Sequence, residues 1–206
     1  MKGKRMNIRI RRLAWMAGVM AGVMAAGADD VQVEFKDPSQ WIWTGAGYGP
    51  SAAVKTSEDT SPSGGKSLMF KYDLRGEEGK DSYCAYEYQD KLVFDRMPKS
   101  VGIWVKGDKH LHPLRIQFVD NNNTVHQWIL GVISWDGWRK VEVPLKFAVV
   151  GYDQWGPSIP ETGAATKSGF LDVEPPVRFH ALVVGSQSTG EKDAGAVKLS
   201  DLEFKN

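Results

Sequence analysis

Arg115, Gln117, His126 and Trp128 occupy alternating positions on either side of the polar run Asp120-Asn121-Asn122-Asn123. Side chains two residues apart on a strand share a face. If Asp120 faces Asn123 across a turn, Gln117 falls opposite His126 and Arg115 opposite Trp128, and all four lie on one side of a sheet. An indole among Arg, Gln and His suits a sugar ring: the aromatic stacks on the apolar C–H face while the polar groups bond the hydroxyl rim. Trp104 and Lys106 extend that surface if their strand is adjacent. The competing reading puts Trp104 and Trp128 in a second core layer or beneath a long loop. Arg115 and His126 weigh against it, because both resist dry burial.

Other aromatic and ligating residues are more scattered. Trp155 is the best loop candidate for stacking, ahead of Tyr48 and Tyr152. Tyr86 and Tyr88 alternate with Cys84, so an outward face would expose phenol, and Tyr86 joins the candidate ligand contacts. Trp135 and Trp138 flank the tight Asp136-Gly137 turn and read as packing residues. Cys84 is the only cysteine, so no intrachain disulfide forms; in an aromatic strand it reads as a small buried hydrophobe. His110 and His112 sit two apart in a loop, with no further metal ligand evident nearby.

The elements that must position these residues are strands. Apolar positions alternate in Leu68–Leu74, Val101–Lys106, Leu114–Val119 and Val141–Leu145. Tyr83–Gln89 is β-prone, Phe179–Val184 is nearly continuous and apolar, and Val197–Phe204 closes the chain. Breakers separate them, among them Ser61–Gly65, Arg75–Asp81, Lys106–Pro113, Asp120–Asn123 and Ser186–Gly195. No helical period persists after the N-terminal region. Many short strands with Gly, Pro and Asn turns predict an all-β antiparallel sandwich or barrel. Residues 148–176, rich in Gly and Pro, read as one long surface loop.

The N-terminal residues read as a leader. Six basic residues and no acid lie within residues 2–12, an uncharged apolar run spans Leu13–Ala26, and Ala26-Gly27-Ala28 supplies a cleavage pattern. This predicts a cleavable signal peptide over 1–28, a secreted protein and one domain over 29–206. Of 26 basic residues, 20 remain after residue 28 against 25 acidic ones, a net −5 that argues against nucleic acid as a partner.

Several motifs then resemble a known group. Gly64-Gly65-Lys66-Ser67-Leu68 with Phe70–Asp73, Pro98–Asp108, Leu114–Asp120, Ser134–Arg139, Val141–Leu145, Gln154-Trp155-Gly156 and Ala196–Phe204 follow in order. Together they resemble the secreted carbohydrate-binding-module-like β-sandwiches of the galactose-binding-like jelly-roll superfamily. The resemblance implies a two-sheet jelly roll and non-catalytic binding of a polysaccharide or oligosaccharide. It also implies a setting beside a separate glycoside hydrolase or cell-surface protein. It implies a structural calcium beside the first and last strands, with Asp37, Asp201 and carbonyls near Lys66 as ligands. Here, though, Lys36 replaces the usual acid, and the final acidic pair is reduced to Ser200-Asp201. A structural or assembly protein of the cell envelope or filament surface has the same fold. So does a polysaccharide lyase, for which Arg115, Gln117, His126 and Tyr86 or Tyr88 would be the working set, although the lyase strand motifs are absent.

Overall fold

The computed structural model describes residues 30–46, 51–75, 82–145, 173–186 and 193–206. The leader, Tyr48, Tyr152, Trp155 and nearly all of the 148–176 loop lie outside these. The described residues form twelve strands: β1 (Val31–Val33), β2 (Trp41–Ala46), β3 (Ala53–Thr60), β4 (Lys66–Asp73), β5 (Tyr83–Tyr88), β6 (Val93–Phe94), β7 (Ser100–Asp108), β8 (Pro113–Val119), β9 (Val125–Val132), β10 (Asp136–Pro144), β11 (Val177–Gly185) and β12 (Ala194–Lys205). One 3-10 turn, Pro38–Gln40, precedes β2. Its N-cap is Asp37, whose carboxylate accepts from the Ser39 N–H at 2.8 Å.

Two six-stranded antiparallel sheets pack face to face as a β-sandwich. The first sheet runs β10-β7-β12-β4-β3, with β1 also on β12; the second runs β2-β5-β11-β8-β9, with β6 also on β11. The alternation legible in the sequence decides which residues face inward. Leu68, Phe70 and Tyr72 of β4, Val101, Ile103 and Val105 of β7, and Leu114, Ile116 and Phe118 of β8 are all buried in one core. Strands β1, β2, β3 and β6 are additions to the expected set: β1 and β6 are too short to show a period, and the Gly of β2 and the Lys and Glu of β3 hide theirs.

Aromatic rings pack within and between the layers. Trp41 packs edge-on against Phe70 at 5.3 Å, Phe118 against Trp128 at 5.6 Å, and Phe204 lies 5.3 Å from Phe179 and 5.0 Å from Phe94. Each such burial contributes roughly 1.5–3 kcal/mol relative to exposure. Cys84 is buried, as expected, with its thiol pushed up by burial.

Candidate functional site

The hairpin of β8 and β9 sets the site, and its register differs from the expected one. Gln117 pairs with Gln127, Ile116 with Trp128 and Phe118 with His126. The turn is one residue longer than assumed. Asp120 N–H bonds the Thr124 carbonyl at 3.0 Å, and three residues loop out between them, Asn123 taking a left-handed φ of 59°. A type I turn followed by a left-handed residue is a common three-residue hairpin loop, and Asn tolerates that conformation. One extra residue moves every side chain of β9 to the other face.

The expected quartet is therefore divided. Trp128 is 0% exposed and belongs to the core, with His126 beside it. His126 Nε2 lies 2.9 Å from Asp120 Oδ2. Arg115 and Gln117 face the other way. Tyr86 is also a core residue, not a surface one, and its hydroxyl donates to the Lys71 carbonyl at 2.8 Å. Trp104 does not extend the face, because β7 belongs to the opposite sheet. There it is half-buried between Lys140 and Ser200. The lyase set is split in the same way: His126 and Tyr86 lie on the inner side of the second sheet, Arg115 and Gln117 on the outer.

Arg115 and Gln117 gain other companions. Two rows of residues cross the outer face of the second sheet from β2 to β9. One is Ile42, Glu87, Ala181, Gln117, Gln127; the other is Thr44, Ala85, Val183, Arg115, Ile129. Ala85, Ala181 and Val183 form a small apolar cluster separate from the main core, with Tyr83 packed against it. Together with Gly185 they make a low floor. Longer polar side chains rise on both sides. Thr44 Oγ1 donates to Glu87 Oε1 at 3.0 Å on one wall, and Gln117 Nε2 donates to Gln127 Oε1 at 2.9 Å on the other.

Arg115 lies across the floor. A Cβ added at Gly185 would fall 2.5 Å from an Arg115 terminal nitrogen, so glycine is what lets the guanidinium pass over β11. His180 is the extra residue of a bulge between Phe179 and Ala181. It is half-buried; burial lowers its pKa, opposed by the charge of Glu87. The two walls differ in access. Ile42 is 50% exposed, and Thr44, Tyr83, Glu87 and His180 are half-buried, whereas Arg115 and Gln117 are 9% and 5% exposed. The result is a sheltered polar wall facing an accessible one.

Gln127 and His180 are the residues that sequence reasoning misses. The shorter turn assumed from the sequence leaves Gln127 on the inner side, and His180 sits inside what reads as a continuous apolar strand. Trp155 lies outside the described residues. Trp135 packs structurally, donating from Nε1 to the Val105 carbonyl at 3.3 Å beneath the Arg139 guanidinium.

Asp37 and Asp201, the expected calcium ligands, are tied to different partners. Asp37 caps the 3-10 turn. Asp201, at a left-handed φ of 50°, accepts at Oδ2 from the hydroxyls of Ser61, Ser63 and Ser200 at 2.8, 2.5 and 2.8 Å. Burial pushes its pKa up, but these hydrogen bonds outweigh burial and leave it lowered. Ser200 also donates to the Lys66 carbonyl. One carboxylate among three hydroxyls falls short of the carboxylate-rich oxygen shell that calcium favours, so the residues present do not fit that ion well.

No protein-family model matches the sequence, and no curated protein matches it. Solved structures match its fold. One is the family 11 carbohydrate-binding module of the cellulosomal cellulase Lic26A-Cel5E of Clostridium thermocellum. It is 14% identical with a TM-score of 0.53, over 88% of this chain and 96% of that one. Another is a family 11 module from Clostridium thermocellum in complex with a β-1,3-1,4-mixed-linked tetrasaccharide. It is 14% identical with a TM-score of 0.52, over 88% of this chain and 98% of that one. The chain thus has a carbohydrate-binding-module-like β-sandwich fold.

Proposed function

We propose that the protein is a secreted, non-catalytic polysaccharide-binding module that holds a glycan along the outer face of the second sheet. The observation that carries this reading is the pair of cross-strand rows from β2 to β9. They set a floor of small residues between polar walls. Ala85, Ala181 and Val183 keep the floor of the sheet low and apolar, and Tyr83 offers an aromatic edge for a pyranose C–H face. Glu87, Thr44 and His180 lie on the accessible wall, where sugar hydroxyls can both donate and accept. Arg115, Gln117 and Gln127 close the other side. The tetrasaccharide-bound Clostridium thermocellum module of the same fold supports the reading. A separate glycoside hydrolase or cell-surface protein is the natural neighbour for such a module.

Affinity electrophoresis of the protein through gels containing a panel of neutral and acidic polysaccharides tests this. Retention by at least one polymer is expected, with at least a tenfold loss of affinity in Glu87→Ala and Gln117→Ala. Absence of retention across the panel, or undiminished retention in both variants, overturns it.

A further inference from the structure

The loop between β7 and β8 carries His110 and His112, and the fold brings Asp193, at the start of β12, against both. His112 Nε2 lies 2.6 Å from Asp193 Oδ1, and His110 Nδ1 bonds Asp193 Oδ2. One ligand atom from each of the three residues lies within 4.8 Å of the others, the only such group among the described residues. We infer that His110, His112 and Asp193 form a binding site for a zinc ion, on residues distinct from the glycan face.

Four observations carry this. First, the donor set is right: two imidazoles and one carboxylate are the three protein ligands of an open tetrahedral zinc site, with a position left for water. Second, the donors are already close. Zinc holds nitrogen and oxygen at about 2.0–2.1 Å, which puts ligand atoms roughly 3.3 Å apart. Each imidazole nitrogen already touches an Asp193 oxygen, and all three ligand atoms lie within 4.8 Å of one another, so small side-chain movements bring them to zinc distances.

Third, the loop is strained in a way that brings the rings together. Lys109 and Leu111, on either side of His110, both take left-handed φ values, 66° and 61°. That conformation is costly for a residue with a Cβ. Strain of this kind persists where the surroundings over-determine it, and it clusters at functional sites. The surroundings here are explicit. Lys109 and Leu111 N–H groups bond the Trp135 and Ile133 carbonyls at 3.2 and 3.1 Å, and the Ile133 N–H bonds the His112 carbonyl at 2.9 Å.

Fourth, outer partners are in place. The Asp193 carbonyl accepts from the Leu74 N–H at 2.7 Å, and Asp108 accepts from the His110 N–H at 3.4 Å and from the Tyr72 hydroxyl. The Tyr72 ring also stands edge-on to His112 at 5.1 Å. The hydrogen bonds fix the backbone that carries the ligands, and the Tyr72 ring bears on one ligand ring directly. The His110 and Asp193 side chains are 37% and 30% exposed, so solvent reaches the site.

The test is zinc titration of the chelator-treated full chain by isothermal calorimetry, with Co2+ as a spectroscopic substitute. One ion per chain, a dissociation constant in the micromolar range or below, and the intense visible absorption of four-coordinate Co2+ are expected. Histidine nitrogen NMR should show the metal on Nδ1 of His110 and Nε2 of His112, an assignment that ions bound elsewhere would not reproduce. Asp193→Asn and His110→Ala should each weaken zinc at least tenfold, while His180→Ala should not. His110 is partly exposed, so its variant folds even if the buried His112 proves intolerant of change. Lack of zinc binding at millimolar ion, or full-affinity binding by both His110→Ala and Asp193→Asn, overturns the site.

Discussion

Asp120 Oδ2 and His126 Nε2 face each other at 2.9 Å across the mouth of the β8–β9 loop, both buried. The other carboxylate oxygen accepts from the Asn122 and Thr124 N–H groups at 2.9 and 2.8 Å. One aspartate thus fixes the loop length and, through it, the face to which each β9 residue points.

Acid stability follows from that pair. Burial pushes the Asp120 pKa up, but hydrogen bonds from His126 and the loop backbone leave it below the ordinary carboxylate value. A carboxylate with a depressed folded pKa contributes stability above its unfolded pKa of about 3.9, and that contribution is lost as pH falls towards the folded value. Asp120→Asn should cost about 2 kcal/mol at pH 7, as expected for a hydrogen bond to a charged group. The cost should shrink below about pH 4. Urea unfolding at pH 7 and pH 3 measures both.

Trp128→Ala should unfold the protein or cost about 3–5 kcal/mol, because it empties a fully buried site against Phe118. Trp128→Phe should retain most of the structure and all of the polysaccharide retention. Loss of retention in a folded Trp128→Phe variant would return the ligand to this residue.

Trp104→Ala gives the complementary result. Its ring lies on the outer face of the first sheet, beside Lys140. Retention in polysaccharide gels should be unchanged, with a stability cost below about 1.5 kcal/mol for a half-buried ring, against the 3–5 kcal/mol of a core one. A tenfold loss of retention would place the glycan on the first sheet instead.

Asp201→Ala should destabilise by about 2 kcal/mol, since three hydroxyls lose their shared acceptor. Asp201→Asn should cost less, as asparagine accepts a hydrogen bond and tolerates the left-handed backbone. The melting temperature should be the same in EDTA and in millimolar calcium. A calcium-dependent rise of several degrees would show that the serine-rich shell holds the ion after all.

Most of the longer strands, and the inward residues of β4, β7 and β8, are legible in the sequence because a two-residue period needs only local information. Sheet membership is not local, so nothing in Val101–Lys106 says that Trp104 lies on the opposite layer from Arg115. Register is local but fragile. Four polar residues, Asp120 to Asn123, fit a two-residue or a three-residue loop, and one residue decides between Trp128 and Gln127 as the outward side chain. His110 and His112 are visible at once, whereas Asp193 reaches them only through the pairing of β12 with β4.

The place of β12 also bears on how the molecule is made. It is the last described strand in the chain, yet it is the hub of the first sheet, with β4 and β7 on its two sides and β1 continuing the β4 side past Asp201. Until residues 194–205 have left the ribosome, β7 and β10 have no ladder to β3 and β4, and β1 has no partner in that sheet. The first layer therefore cannot close before β12 is made. Until then its apolar strands stay exposed, and its folding depends on long-range pairing rather than on neighbours in the sequence.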